Sequence, residues 1–414
     1  MKIIVQKYGG TSVGTTERIQ NVAKHIIETK QKGYGVVVTV SAMGHATDHL
    51  IKLAKEINPN PSRRELDMLL ATGEQTSIAL LAMAIEALGE KAISLTGYQC
   101  GIETDEFYSK ARINAIHTER LREELGQDKI VIVAGFQGST PHGDITTLGR
   151  GGSDTTAVAL AVALSAELCE IYTDVYGIYS SDPRKVPGAK LMSSISYDEI
   201  LEMAKLGAGV MHPRSVELAR KNNMPLTVRS AFDYSVAGTK IVEVNPMEKA
   251  QVRGVTLDEH IVRISVPNVP DRPGIAYKLF SSLVGLNVSL DMILQNLNHD
   301  GLNDISFTVP DEDLDRIIPT VEAFIDEVGA SPLLIKSDVA KLSIIGTGIT
   351  SDVKIASGLF GKIYELGINI EMISTSEIKI SCIIDQDQAQ RALQEVHRYF
   401  ELNGTTVHAE EQGA

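Results

Sequence analysis

The stretch Lys7–Gly14, KYGGTSVG, follows the apolar run Ile3-Ile4-Val5. It precedes a segment in which Ile19, Val22, Ala23, Ile26 and Ile27 recur at helical spacing. The order is therefore strand, glycine turn, helix. A second stretch, Thr146–Leu164 (TTLGRGGSDTTAVALAVAL), follows the strand-like run Ile130–Ala134 across a longer loop and leads into an alanine-rich helix expected from about Asp154. Glycines between a strand and a helix N-terminus let backbone N–H groups converge on an anion, and the helix dipole adds to the attraction. Lys7 lies in one loop and Arg150 in the other, which suits a site for several negative charges. Neither loop reads GxxxxGK[ST] or GxGxxG, so the local pattern points to anion binding without naming a nucleotide.

Outward from these loops, strand-like runs alternate with helical patterns as far as Val244. Val36–Val40, Ile93–Leu95, Glu170–Thr173 and Leu226–Arg229 read as strands, and Met68–Leu88 as a helix. This alternation predicts an α/β layered domain with a largely parallel sheet over 1–244. Glu243–Lys249 reads as a linker.

The second half repeats itself. Gly274–Ile293 (GIAYKLFSSLVGLNVSLDMI) aligns with Lys354–Ile373 (KIASGLFGKIYELGINIEMI), 80 residues further on. Ile275/Ile355, Ala276/Ala356, Leu279/Leu359, Phe280/Phe360, Met292/Met372 and Ile293/Ile373 are identical. Asp291/Glu371 match in type. Each copy has helical spacing, a break at Gly285 or Gly367, then alternation such as Val288-Leu290-Met292. Arg263–Val266 and Lys341–Ile344 read as strands ahead of the two helices, and Asp304–Val309 and Lys379–Ile384 as strands behind them. Two βαββαβ modules are expected, at 245–339 (with the linker) and 340–414.

Composition bounds the function. The 414 residues allow two or three domains, and 43% hydrophobic with 22% charged residues is ordinary globular composition. With 53 acidic against 39 basic residues, the net charge of −14 argues against a nucleic-acid partner. Cys100, Cys169 and Cys382 lie far apart without metal-ligand spacing and read as buried thiols in a reducing cytoplasm. No secretory h-region and no run approaching a membrane span is evident, so no membrane partner is expected. His45 and His49 stand four apart but lack a third ligand, so no protein-held metal is expected.

Together with the two glycine stretches, VSAMG at Val40–Gly44, LLATGEQ at Leu69–Gln75, GFQG at Gly135–Gly138 and DPR at Asp182–Arg184 closely resemble the aspartate kinases. The repeated modules resemble the tandem ACT domains of that family. The resemblance spans nearly the whole chain. It implies an amino-acid-kinase domain with helical layers about the sheet, and ATP-dependent phosphorylation of the side-chain carboxylate of L-aspartate, with Mg²⁺ on the nucleotide.

The resemblance also implies site roles. Lys7, Arg150 and Asp154 are expected at the reacting centre. Thr47, Glu74, Arg150, Gly151, Gly152 and Ser153 are expected on aspartate, with Arg150 clamping a carboxylate and Glu74 accepting from the α-ammonium. By itself Asp154 could equally be a helix N-cap, and Glu74 a surface carboxylate. Lys7, Tyr8, Gly9, Gly10, Ser41, Thr173, Asp174, Val175, Tyr179, Asp182, Arg184, Lys185 and Val210 are expected on the nucleotide. A salt-bridged loop is the plain alternative for Asp182–Lys185. Many relatives carry lysine where this chain has Gly209. An effector, lysine in preference to threonine, is expected at Asp271, Ser289, Leu290, Asp291, Gln295, Ile355, Ala356, Asn369, Ile370 and Ser376. Where relatives have an SHPGV-like turn, this chain has Ser351–Ile355. The ACT pair implies a homo-oligomer, at least a dimer. Two other readings remain open: a different amino-acid kinase of the same fold, such as an acetylglutamate, glutamate or carbamate kinase, or an amino-acid sensor with an inactive kinase half.

Overall fold

The computed structural model describes residues 1–205, 211–243, 251–286, 288–297 and 301–404. Packing divides them into two units. One comprises residues 1–179, 191–205 and 211–243; the other comprises 180–190 and 251–404.

The N-terminal unit runs β1 (Ile3–Tyr8), α1 (Thr16–Gln31), β2 (Gly35–Val40), α2 (Ala46–Ile57), α3 (Arg63–Ala87), β3 (Ala92–Leu95), β4 (Ile102–Thr104), β5 (Ile113–Ile116), α4 (Glu119–Gly126), β6 (Ile130–Ala134), β7 (Gln137–Ser139) and β8 (Ile145–Thr147). It continues with α5 (Gly152–Leu164), β9 (Leu168–Thr173), β10 (Ser194–Ser196), α6 (Tyr197–Lys205), α7 (Pro213–Lys221), β11 (Leu226–Ser230) and β12 (Thr239–Val242). The main sheet has the order β10-β12-β11-β9-β1-β2-β6-β3 and is parallel except where β11 meets β12. Its central strands β2 and β6 are continuous β-branched runs buried on both faces, as parallel strands between helical layers must be. α1 buries Ile19, Val22, Ala23, Ile26 and Ile27, the stripe read from the sequence, and starts where the Thr15 hydroxyl accepts from the Arg18 N–H. α5 is apolar nearly all round and almost wholly buried.

A second, four-stranded sheet, β5-β4-β7-β8, was not legible in the sequence. Its strands are three or four residues long and carry no sustained alternation. α3 corrects another expectation. It is 25 residues long and, by length and composition, apolar enough to cross a membrane. Yet it buries Asp67 and Glu74, both hydrogen-bonded to other elements, as a core helix does.

The C-terminal unit runs β13 (Gly254–Asp258), β14 (Ile261–Pro270), α8 (Ile275–Leu283), β15 (Ile293–Leu297), β16 (Leu302–Pro310), α9 (Leu314–Val328), β17 (Leu334–Lys336), β18 (Val339–Ile345), α10 (Val353–Glu365), β19 (Met372–Ser376), β20 (Lys379–Asp385) and α11 (Gln386–Tyr399). Its two sheets are β15-β16-β14-β17 and β13-β18-β20-β19. The first module is βαββαβ as expected, although Val288–Leu290 precede rather than join β15. The second module departs from a contiguous βαββαβ. Its fourth strand is β13, which precedes the first module in sequence and pairs antiparallel with β18. The first module is thus inserted into the second, and the expected boundary at 339/340 divides a sheet.

A further boundary moves as well. Ser180–Lys190, expected within 1–244, packs with the C-terminal unit. There the Lys185 carbonyl accepts from Gln390 and Gln394, and Val186 joins the core of the second module.

Candidate active site

Lys7 lies near the end of β1, between β2 and β9. The chain turns immediately after it, and Gly9 and Gly10 allow that turn to pack close. A Cβ on Gly10 would stand 2.7 Å from the Ala42 carbonyl oxygen. The Gly44 N–H donates to the Gly10 carbonyl (3.0 Å), and the Ser41 N–H to the Tyr8 carbonyl (3.1 Å). Ser41 is thereby fixed beside the first glycine loop. Thr47 opens α2, half-buried.

The second loop turns through two left-handed glycines, Gly149 (φ 78°) and Gly151 (φ 64°), with exposed Arg150 between them. Gly151 is the N-cap of α5, without a side-chain cap. Asp154 is therefore not the N-cap, and its side chain is free for another task. It pairs with Lys7, Nζ to Oδ1 at 2.7 Å, each side chain about one-tenth exposed. This contact joins the two glycine loops.

Packing around α5 explains why small residues surround it. A Cβ on Gly151 would fall 2.2 Å from His212 Cβ, and one on Gly135 would fall 2.6 Å from Ser153 Oγ. Ser153 is buried, and the first turn of α5 holds Gly152, Ser153 and Asp154 together beneath the loop. His212 is held below its ordinary pKa by burial, against the pull of Asp154.

Glu74 lies in the middle of α3 and is 3% exposed. One carboxylate oxygen accepts from the Ala42 N–H (3.1 Å), while the other has no hydrogen-bond partner. Burial pushes its pKa up to about 7 despite the backbone donors. A buried carboxylate with one unfilled oxygen is unlike the solvated helix carboxylate weighed in the sequence, and suits a ligand cation.

The residues expected on the nucleotide fall in both units. Thr173 ends β9, its hydroxyl donating to Asp174, and its carbonyl accepts from the Ala231 N–H. Tyr179 is partly buried, which raises its pKa. In the C-terminal unit, Asp182 accepts a bidentate pair from Arg184, and Lys185 pairs with Glu259. A salt-bridged loop, the plain reading of DPRK, is what this segment forms. Gly209 and Val210 lie outside the described residues.

Among the expected effector residues, Asp291 is engaged already. Lys341 and Lys379 both pair with it and hold its carboxyl below the usual range, outweighing burial. Asp271 accepts from the Asn303 amide. Ile355, Ala356 and Ile370 pack, partly buried, against the second module's core. Ser376 sits on edge strand β19 opposite Lys379. The missing Pro-Gly turn has a local substitute, because Asp352 caps α10 by accepting from the Lys354 N–H (2.9 Å).

Asp67 and Arg214 were missed in the sequence. Asp67 is fully buried and takes four hydrogen bonds from Ser109 and Thr147. Arg214 donates to the Leu148 and Ala111 carbonyls. Asp67 precedes Glu74 by seven residues, two helical turns, and that spacing was the available signal.

The amino acid kinase family model matches residues 2–230, and an ACT domain model matches 342–400. An aspartokinase of Bacillus sp. (strain MGA3) is 46% identical over 411 residues, 99% of this chain and 100% of that protein. An aspartokinase of Geobacillus stearothermophilus is 48% identical over 403 residues, 97% of this chain and 98% of that protein. Among solved structures, the aspartate kinase from Synechocystis is similar with TM-score 0.55 and 44% identity, covering 99% of this chain and 71% of that one. E. coli aspartokinase III in complex with aspartate and ADP (R-state) matches in fold, with TM-score 0.82 and 24% identity over 96% of this chain and 99% of that one. With the amino acid kinase model matching residues 2–230 and near-complete coverage of relatives 46–48% identical, the chain belongs to the aspartokinases of the amino acid kinase family.

Proposed function

We propose that this chain transfers the γ-phosphoryl group of ATP to the side-chain carboxylate of L-aspartate, giving 4-phospho-L-aspartate. The carrying observation is the Lys7–Asp154 pair that links the two glycine loops. A carboxylate with a pKa of ~3.9 is ionised at neutral pH and needs no general base. The barrier is repulsion between two anions, about 4 kcal/mol for each like-charge pair at ~4 Å and an effective dielectric of ~20. Lys7 and the amides of Gly9 and Gly10 offset this charge at the transferring group, and Asp154 keeps the ammonium aimed. Tyr8, Ser41, Thr173, Asp174, Val175, Tyr179, Asp182, Arg184, Lys185 and Val210 are assigned to the nucleotide.

For aspartate, Arg150 clamps a carboxylate with its planar fork, and the open oxygen of Glu74 takes the ammonium. Thr47, Gly151, Gly152 and Ser153 line the same pocket in this reading. Among the described residues no three His, Cys, Asp or Glu converge as a metal cage. Mg²⁺ fits as an ion carried on the ATP phosphates, adding positive charge there.

Feedback inhibition by an end-product amino acid, lysine before threonine, is supported by the ACT pair and by the charged cluster at Asp291. The same reading makes this the first step toward lysine, threonine and methionine, in an oligomer joined through the ACT modules. A cytoplasmic setting agrees with three free, buried cysteines.

Hydroxamate formation from ATP, hydroxylamine and either aspartate, glutamate or acetylglutamate tests the reading. Turnover with aspartate alone supports it. Turnover with another acceptor favours a different amino-acid kinase, and no turnover favours a sensor. Millimolar lysine or threonine leaving the initial rate unchanged would overturn the regulatory part.

A further inference from the structure

We infer that Asp67 is a positioning residue for aspartate binding, holding the Arg150 loop at a set distance from Glu74. The inference rests on the reading of Arg150 and Glu74 as the two ends of the aspartate site.

The Asp67 side chain is fully buried, and both oxygens are used twice. Oδ2 accepts from the Ser109 N–H and the Thr147 N–H, each at 2.8 Å. Oδ1 accepts from the Thr147 hydroxyl at 2.8 Å and the Ser109 hydroxyl at 3.1 Å. The four donors come from two segments. One is the loop before β5, and the other is the last residue of β8, three residues before Arg150. The segments also hold each other, since the Ala111 N–H donates to the Thr147 carbonyl at 2.9 Å. Ser109 adopts φ 70°, and a Cβ on Gly149 would stand 3.1 Å from its carbonyl. Arg214, from α7, donates to Leu148 (3.1 Å) and Ala111 (2.8 Å) just beyond these contacts.

Glu74 is on the same unbroken helix. Seven residues bring it back to nearly the same face, ~10 Å along the axis. α3 therefore carries the ammonium acceptor at one point and the anchor of the carboxylate clamp at the other. A buried carboxylate that only stabilised the fold could take its donors from anywhere. Two of these donors, the Thr147 N–H and hydroxyl, stand three residues before Arg150, and the other two come from the segment that holds Thr147.

Asp67→Asn keeps the shape but sets an amide donor against backbone donors. Wild type and variant are compared for melting temperature, kcat, KM for aspartate and KM for ATP. The expected result is a KM for aspartate raised about tenfold, with KM for ATP within twofold and kcat within threefold. Thr147→Val, which removes one hydroxyl donor and leaves the carboxylate, is expected to raise KM for aspartate about threefold in the same selective way. A folded Asp67→Asn with unchanged KM for aspartate overturns the inference, as does an equal rise in both KM values. Should Asp67→Asn fail to fold, Thr147→Val decides by the same selective rise or its absence. A wild type inactive on aspartate instead sinks the functional reading on which the inference rests.

Discussion

Lys7 Nζ and Asp154 Oδ1 lie 2.7 Å apart, joining the end of β1 to the first turn of α5 across 147 residues of sequence. The pairing gives a nearly buried ammonium a fixed direction without cancelling its use. Both side chains are about one-tenth exposed, so the ion pair is held largely out of water.

Removing that ammonium should cost transition-state stabilisation more than binding. Lys7→Ala is expected to lower kcat about 10³-fold with little change in KM for aspartate. Asp154→Asn should lower kcat about tenfold, because the lysine remains but is no longer aimed. Hydroxamate kinetics check both; wild-type kcat in Lys7→Ala would refute the catalytic assignment.

Glu74 should make aspartate use pH-dependent. Its pKa of about 7 in the free protein means that kcat/KM for aspartate falls tenfold per unit below about pH 7, as the ammonium acceptor is protonated. The stability effect has a defined sign. The folded value lies above the unfolded one, so the native state holds the extra proton and loses stability as pH rises from about 4.5 to about 7. Glu74→Gln should abolish the kinetic limb and be more stable than wild type at pH 8, by on the order of 3 kcal/mol. A pH–rate profile and denaturation at pH 5 and pH 8 test this.

Gly151→Ala combines two faults. The φ of 64° is disfavoured for alanine, and the new Cβ would overlap His212. The loop must shift, carrying Arg150 with it. A fall of at least tenfold in kcat/KM for aspartate is expected, together with a lower melting temperature. Gly143→Ala, in a turn with open space around the Cβ, is the strain control, because its φ of 84° is also left-handed.

In the C-terminal unit the repeat makes reciprocal ion pairs. Arg263 of the first module meets Glu371 of the second, and Lys341 of the second meets Asp291 of the first. Asp291→Asn leaves the buried Lys341 with Asp258, at 3.4 Å, as its remaining carboxylate among the described residues. A loss of about 1–2 kcal/mol is expected, less than for a fully buried pair because Asp291 is 36% exposed. The folded pKa of Asp291 is depressed, so this stabilisation is present above the unfolded value and lost as pH falls through the folded one. Urea midpoints of wild type and variant should differ at pH 7 and converge only as pH falls below the ordinary carboxylate range.

The large strands, the two glycine loops and the repeat were legible because each is carried by a local pattern. Val36–Val40 and Ile130–Ala134 are unbroken apolar runs, and the stripe on α1 has a helical period. The four short strands of the second sheet carry no such period, since three residues are too few to alternate. The place of β13 is not legible, because strand pairing leaves no mark on sequence distance. Gly254–Asp258 joins a sheet whose next strand begins 81 residues after it ends. The Ser180–Lys190 segment was assigned by its neighbours in the chain, whereas its hydrogen bonds run to Glu259, Gln390 and Gln394.

Residue types and their local spacing determined which chemistry was available: glycines where backbone must bend, a lysine and an arginine beside them, and carboxylates on helices. Only folding decided which carboxylates would be charged, shared or open. Glu74 and Asp67 sit on one helix and look alike in sequence, yet Asp67 meets four donors and Glu74 keeps an oxygen open. That difference arises from burial and from partners brought by distant segments, which set the local dielectric and fill or leave lone pairs.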